Sequence, residues 1–218
     1  MGLETVVILA AGEGTRMKSS TPKVLHSISG RSLVGHVLHA VDALAAQQVR
    51  VVVGAGREQV EAHLSEVAPH VTTVFQEKRG GTGHATQLAL VGVKATGTIL
   101  ILAGDTPLLT GDSLRAFLEE HHAGGFTASV LTAEHPDPTG YGRIIRGDDD
   151  SLLRIVEERD ADEIQRDIYE VNSGVYAFDA AKLSGAIGKL KNDNSQGELY
   201  LTDVIEILRT EGERLQRF

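Results

Sequence analysis

The span Gly12-Glu13-Gly14-Thr15-Arg16-Met17-Lys18, followed by Pro22-Lys23, puts glycines and fixed cations in one short loop near the start of the chain. Glycine lets a backbone come close enough to a phosphate for N–H groups to bond it, and Arg or Lys neutralises polyphosphate charge. The loop is not a P-loop, because Gly-Lys-Ser/Thr is missing, and not the dinucleotide fingerprint, because Met17 stands where a third glycine belongs. Arg16 and Lys23 are the candidates for holding a triphosphate, with the N–H groups around Gly12 and Gly14 beside them. An ordinary glycine turn with surface cations is the competing reading.

Further along, Gly104-Asp105 closes the apolar run 99–103. Asp is a hard oxygen ligand of the kind Mg²⁺ takes one or two of, leaving other positions to water and phosphate. Asp105 is therefore the candidate metal ligand, although a turn residue ahead of Pro107 would look the same. Gln76 carries a donor and an acceptor on one amide, a match for the imide edge of uracil. It too has a plain alternative, as the end of a strand before a helix-opening turn at 81–83. Of the 9 histidines, His36 and His39 are the pair expected to share a helix face, and no carboxylate lies between them to complete a metal site. They are read as surface or packing residues. With no cysteine and no Gly-x-Ser-x-Gly elbow, thiol and serine-hydrolase machinery is missing.

These residues need elements that bring them together. Residues 5–10, 49–53, 71–76 and 98–103 are short, rich in β-branched side chains and nearly continuous in apolar character, the pattern of strands buried on both faces. Between them, 33–46, 58–67, 83–93 and 111–123 repeat apolar residues at helical spacing. The alternation predicts a Rossmann-like α/β fold, a mostly parallel central sheet flanked by helices. The glycine loop and Asp105 then fall at the carboxyl edge of the strands, where such sheets bind ligands. After Asp105 the pattern loosens, and 128–132, 140–146, 152–156 and 169–178 read as strands that extend the sheet and form a small β-rich lid. Ser195 to Glu198 has capping-box spacing ahead of Leu201, Val204, Ile205 and Leu208, which predicts a final helix there. No linker or internal repeat interrupts the chain, so 1–218 is read as a single domain.

A net charge of −9 over 218 residues argues against general affinity for nucleic acid, since duplex binding rests on phosphate neutralisation. The cationic loop is thus a local feature suited to a small polyanion. Absence of cysteine fits a reducing compartment, and the apolar run 6–11 is too short for a signal segment or a membrane span. A soluble, cytoplasmic protein that does not engage membranes is expected.

The loop from Leu9-Ala10-Ala11 to Met17, with Pro22-Lys23, resembles the signature of the sugar-nucleotide pyrophosphorylases, in the form found in N-acetylglucosamine-1-phosphate uridyltransferases. Gln76 with Gly80-Gly81-Thr82-Gly83-His84-Ala85, then Gly140-Tyr141-Gly142-Arg143-Ile144, Ile155-Val156-Glu157-Glu158 and Asn172-Ser173-Gly174-Val175-Tyr176, agree with that family in order. The resemblance implies nucleotide binding by Leu9, Ala10, Ala11, Gly12, Gly14, Gln76, Gly81 and Thr82, and sugar binding by Gly140, Glu157 and Asn172. It implies catalysis by Arg16, Lys23 and Asp105, with Mg²⁺ on Asp105. Without it, Glu157-Glu158 reads equally as a solvated charge run and Asn172 as a turn residue.

The implied reaction moves a uridylyl group from UTP to N-acetylglucosamine 1-phosphate, giving UDP-N-acetylglucosamine and pyrophosphate for cell-wall precursor synthesis. A sugar phosphate is anionic near neutral pH and needs no general base; the reaction needs neutralisation and alignment of two polyanions. A related nucleotidyltransferase acting on another sugar phosphate, and a nucleotide-sugar binding module without turnover, stay open as alternatives. Ala103 departs from the family pattern, which commonly carries a hydroxyl there. The family's second metal ligand, an asparagine, lies on a segment past the last helix and past Phe218, so weak metal binding and low activity are expected of these 218 residues. The resemblance thus covers one part of a bifunctional enzyme whose acetyltransferase part, a β-helix of hexapeptide repeats, has no counterpart here. Since the family's homotrimer forms largely through that part, a monomer is expected for this piece.

Overall fold

The computed structural model describes residues 2–14 and 17–218, so the cation expected at Arg16 lies outside the described residues. The first half alternates as its patterning requires. Strand β1 (Leu3–Ala10) is followed by a small hairpin of β2 (Ser27–Ile28) and β3 (Arg31–Ser32), then α1 (Leu33–Asp42) and β4 (Gln48–Val53). Next come α2 (Arg57–Val67), β5 (Thr72–Phe75), α3 (Gly81–Ala89), β6 (Thr98–Ala103) and α4 (Gly111–Gly124). β1 pairs in parallel with β4 on one side and β6 on the other, and β5 continues in parallel beyond β4. Successive side chains of a strand face opposite sides. Accordingly Val6, Ile8 and Ala10 join Val37, Val60 and Phe117 in one core, while Val7 joins Ala85, Ile101 and Leu183 in another. Burial on both faces is why β1, β4 and β6 read as unbroken apolar runs. The expectation of a doubly buried strand at 71–76 is corrected: β5 is the edge strand, and its residues are exposed or half-buried.

The second half contains β7 (Ala128–Glu134), β8 (Arg143–Arg146), β9 (Leu152–Val156), α5 (Glu163–Arg166), β10 (Glu170–Asp179), α6 (Ala180–Ile187), α7 (Asp203–Thr210) and β11 (Leu215–Arg217). The main sheet runs β11-β7-β10-β6-β1-β4-β5, with β8 and β9 attached off β10 through Val171↔Arg143. β10 is antiparallel to β6 and β7. Its early residues therefore reach the same edge as the carboxyl ends of β1 and β6.

Two further expectations need correction. The final helix begins at Asp203 rather than at the capping-box spacing of Ser195 to Glu198, because that segment is held elsewhere: Ser195 N–H donates to Asp160 Oδ1 at 2.9 Å and Leu199 N–H to the Gly80 carbonyl at 2.8 Å. A true capping box sits at α5, where Asp162 and Gln165 exchange side-chain and backbone bonds. Helix α6, N-capped by Asp179, occupies a stretch for which no helix was expected. No helix among the described residues is long and apolar enough to cross a membrane.

Candidate active site

Beyond Ala10 the chain leaves β1 and crosses the sheet edge beside Gly104, whose N–H donates to the Leu9 carbonyl at 2.9 Å. Gly14 has φ +62°, and a Cβ there would stand 2.5 Å from the Lys23 Cβ. Only glycine lets Lys23 lie against the loop. At Gly12 a Cβ would meet nothing within 4 Å, so that side of the loop faces open space. Lys23 opens a 3-10 turn (Lys23–Leu25) directly after Pro22, and its ammonium pairs with the Asp105 carboxylate. A cavity of about 390 Å³ and a second of about 280 Å³ share Leu9 and Gly12 in their walls. The smaller one is lined by Ala10, Gly14, Lys23 and Asp105 as well. Glu13 does not oppose Lys23; it pairs with Arg79 at 2.8 Å.

One part of the larger cavity's wall comes from the β5–α3 junction and includes Gln76, Gly81 and Thr82. Gln76 is buried, and its Nε2 donates to the Gly81 carbonyl at 3.1 Å, with His84 Nδ1 3.2 Å away. Gly81 has φ +90°, and a Cβ there would sit 2.4 Å from the Leu199 carbonyl oxygen. The segment after Glu198 closes against this turn: Gly83 N–H donates to Leu199 O at 2.7 Å and Leu201 N–H to Thr82 Oγ1 at 2.9 Å. The Thr82 hydroxyl is thus engaged within the protein.

Another part of the wall carries Glu157, Asn172, Gly174 and Tyr176. Glu157 ends up here because β9 stops at Val156 on this edge, and its Oε1 accepts from Thr202 Oγ1 at 3.0 Å. Burial pushes the Glu157 carboxyl up from its ordinary value; the Thr202 bond works against that rise and the Asp160 charge adds to it. Asn172 lies where β10 departs from regular register between Asn172 and Val175, a bulge that turns its side chain toward the cavity wall. Gly140 lines neither cavity. Its N–H donates to Glu158 Oε2 at 3.0 Å, and Glu158 in turn pairs with buried Arg143 at 2.7 Å. Gly142 lies nearer instead, its carbonyl accepting from Asn172 N–H at 2.9 Å.

The expected residues therefore fall into two groups around a shared glycine loop: Leu9, Ala10, Gly12, Gly14, Lys23 and Asp105 about the smaller cavity, and Leu9, Ala11, Gly12, Gln76, Gly81, Thr82, Glu157 and Asn172 about the larger. Glu13, Arg79, Tyr176, Glu198 and Leu201 also line the larger cavity without having been singled out as site residues in the sequence. Glu13 sat inside the glycine-loop motif and Tyr176 closed the last segment that agrees with the family, so both were available to the sequence; Leu201 reads as an apolar helix position, and only tertiary packing distinguishes it. His36 accepts no metal role, since its Nε2 lies 2.9 Å from the Ile28 carbonyl and His39 is exposed on the helix surface.

For a divalent ion, the donor set is one partly exposed carboxylate, Asp105, beside open space. Among the described residues no group of three or more His, Cys, Asp or Glu could hold an ion without help. That set fits Mg²⁺, which keeps water and phosphate oxygens in most of its positions, and does not fit an all-protein cage.

A family model of the MobA-like NTP transferase domain matches residues 6–175, which run from β1 through the bulge of β10. The chain belongs to the MobA-like NTP transferase family. Within this NTP transferase domain the matched span takes in the glycine loop, Lys23, Gln76, Asp105, Glu157 and Asn172, and stops just short of Tyr176 and the segment after Glu198. The chain is 56% identical over 213 residues to the bifunctional protein GlmU of Streptomyces coelicolor and 52% identical over 215 residues to that of Thermobifida fusca. Each alignment covers 96% of this chain and 44% of the relative, so the chain spans less than half the length of the curated relatives it matches. Among solved structures, a UDP-glucose pyrophosphorylase complexed with UDP-glucose superposes with a TM-score of 0.75 over 99% of this chain and 90% of that one. At 15% identity that likeness concerns the fold alone.

Proposed function

We propose that the two adjoining cavities form one site that transfers a uridylyl group from UTP to N-acetylglucosamine 1-phosphate. An oxygen of the sugar phosphate bonds to the α-phosphorus of UTP, the bond from that phosphorus to the bridging oxygen breaks, and pyrophosphate leaves with the electron pair. The observation that carries the reading is the shared wall at Leu9 and Gly12, which sets a chamber holding Lys23 and Asp105 directly beside one holding Gln76, Glu157 and Asn172. A nucleotide lying across the glycine loop has its base and sugar in the larger chamber and its phosphates beside the charged pair.

In this reading Lys23 and Arg16 neutralise the phosphates, and the N–H groups near Gly12 and Gly14 align them. Asp105 would hold Mg²⁺, which supplies further charge neutralisation when bound. Gln76, Gly81 and Thr82 receive the base, with Leu9, Ala10 and Ala11 as the backbone floor. Glu157 and Asn172 receive the sugar, and Gly140 acts through the loop it ties to Glu158. The 218 residues form a single nucleotidyltransferase domain, here a monomer and in a full bifunctional enzyme part of a homotrimer. Its place is cytoplasmic, supplying cell-wall precursors. The match to both GlmU proteins over nearly all of this chain supports the choice of uridine and acetamido sugar.

The test is pyrophosphate release from a panel of nucleoside triphosphates and sugar 1-phosphates. UTP with N-acetylglucosamine 1-phosphate is expected to exceed every other pair by roughly tenfold or more in kcat/KM, with activity lost on chelation of divalent metal. Equal rates with glucose 1-phosphate would overturn the sugar assignment. Binding of UDP-sugar with no pyrophosphate from any pair would overturn the enzymatic one.

A further inference from the structure

Tyr176 lines the larger cavity beside Ala103 and Asn172 and is only 4% exposed. Its ring stacks on Phe178 at 5.9 Å between centroids, which leaves the hydroxyl as its one polar group. Asn172 Nδ2 donates to that hydroxyl at 2.6 Å. The direction of this bond is fixed by chemistry. Asn172 Oδ1 accepts from the Gly174 N–H at 3.0 Å, and a backbone N–H can only donate, so the amide nitrogen is the atom that faces the phenol. Tyr176 is therefore an acceptor toward Asn172, and among the described residues its own O–H has no acceptor. Burial, with the Glu157 charge in second place, raises the phenol well above its ordinary value and keeps that proton in place. Glu157 is the complementary case: Oε1 is taken by Thr202 at 3.0 Å, and Oε2 accepts nothing among the described residues.

We propose that Tyr176 is a further specificity-determining residue, whose O–H donates to the pyranose while the free Glu157 oxygen accepts from it. A sugar hydroxyl is donor and acceptor at once and satisfies both groups together. A buried donor left without a partner penalises any ligand that lacks the matching oxygen, so the pair selects for hydroxylated rings rather than merely admitting them. The inference rests on the sugar reading of this cavity and adds to it a residue outside the matched family span.

Tyr176→Phe keeps the ring and its stacking and removes the oxygen. Calorimetry with UDP and with UDP-N-acetylglucosamine separates the roles. The variant is expected to bind UDP as the unaltered protein does and UDP-N-acetylglucosamine roughly tenfold more weakly. Equal weakening of both ligands would mean a packing role only, and no weakening of either would mean no role; both overturn the proposal. A series of UDP-sugars lacking one hydroxyl each provides the reciprocal measurement on the unaltered protein. One analogue should lose about tenfold there and lose nothing further on Tyr176→Phe, the non-additivity expected of groups in contact. If every analogue loses equally on both proteins, Tyr176 does not touch the sugar. If the unaltered protein binds UDP but gains nothing from the sugar, the sugar reading itself fails. If it binds neither, the nucleotide reading fails.

Discussion

Gln76 donates its amide N–H to the Gly81 carbonyl, and that leaves Oε1 as the atom it can offer to the cavity. An acceptor at that point receives the N3–H of uracil and repels N3 of cytosine, which carries a lone pair. Gln76→Leu is accordingly expected to raise KM for UTP by about tenfold and to shrink the preference for UTP over CTP by a similar factor, as read by steady-state kinetics. An unchanged preference would take Gln76 out of base recognition. The sequence made the amide visible but showed both halves as free, because the Gly81 carbonyl becomes its partner only after the turn takes φ +90°. Lys23 and Asp105 were legible in the same partial way. Their residue types and strand-end positions could be read, whereas their ion pair depends on β1 lying directly beside β6.

At the scale of elements, the turn that opens α3 is the most constrained piece of the site. A methyl at Gly81 would meet the Leu199 oxygen at 2.4 Å and would also force a side chain into the left-handed region. Gly81→Ala should destabilise the fold by about 2 kcal/mol or more, a fall in Tm of roughly 5 °C by thermal unfolding, and should weaken UDP binding along with it. Helix α7 offers a second case. Thr202 precedes it, yet its hydroxyl donates to Glu157 and caps nothing, so the helix start has no sequence signature and the spacing at Ser195 to Glu198 misleads. Asp203, the first residue of α7, has its carboxyl pushed up to about 6 by burial, then by the charges of Glu206, Glu157 and Asp160. A carboxyl whose folded pKa lies above its value of 3.8 stabilises the fold fully when protonated, below 3.8, and loses that contribution as pH rises through about 6. Asp203→Asn should therefore raise Tm near pH 8 and change it far less near pH 4. A gain of equal size at both values would contradict the assignment of that burden to the charge.

For the whole molecule, β1, β4 and β6 were legible because both of their faces are buried and they carry unbroken apolar runs, while edge strand β5 is exposed or half-buried. The direction of β10 was not, since periodicity has no polarity, and it is this reversal that delivers Asn172 and Tyr176 to the edge where β1 and β6 end. In the proposed function the site joins a nucleotide half drawn from two short stretches, the glycine loop and the turn after Gln76, to a sugar half assembled from β9, β10 and the segment after Glu198. The most direct test of that division is a crystal structure of the protein with UDP-N-acetylglucosamine bound. Uracil is expected against Gln76, Gly81 and Thr82, the diphosphate across Gly12, and the sugar against Glu157, Asn172 and Tyr176. Uracil found against Glu157 and Asn172, or a diphosphate lying away from the glycine loop, would contradict that division.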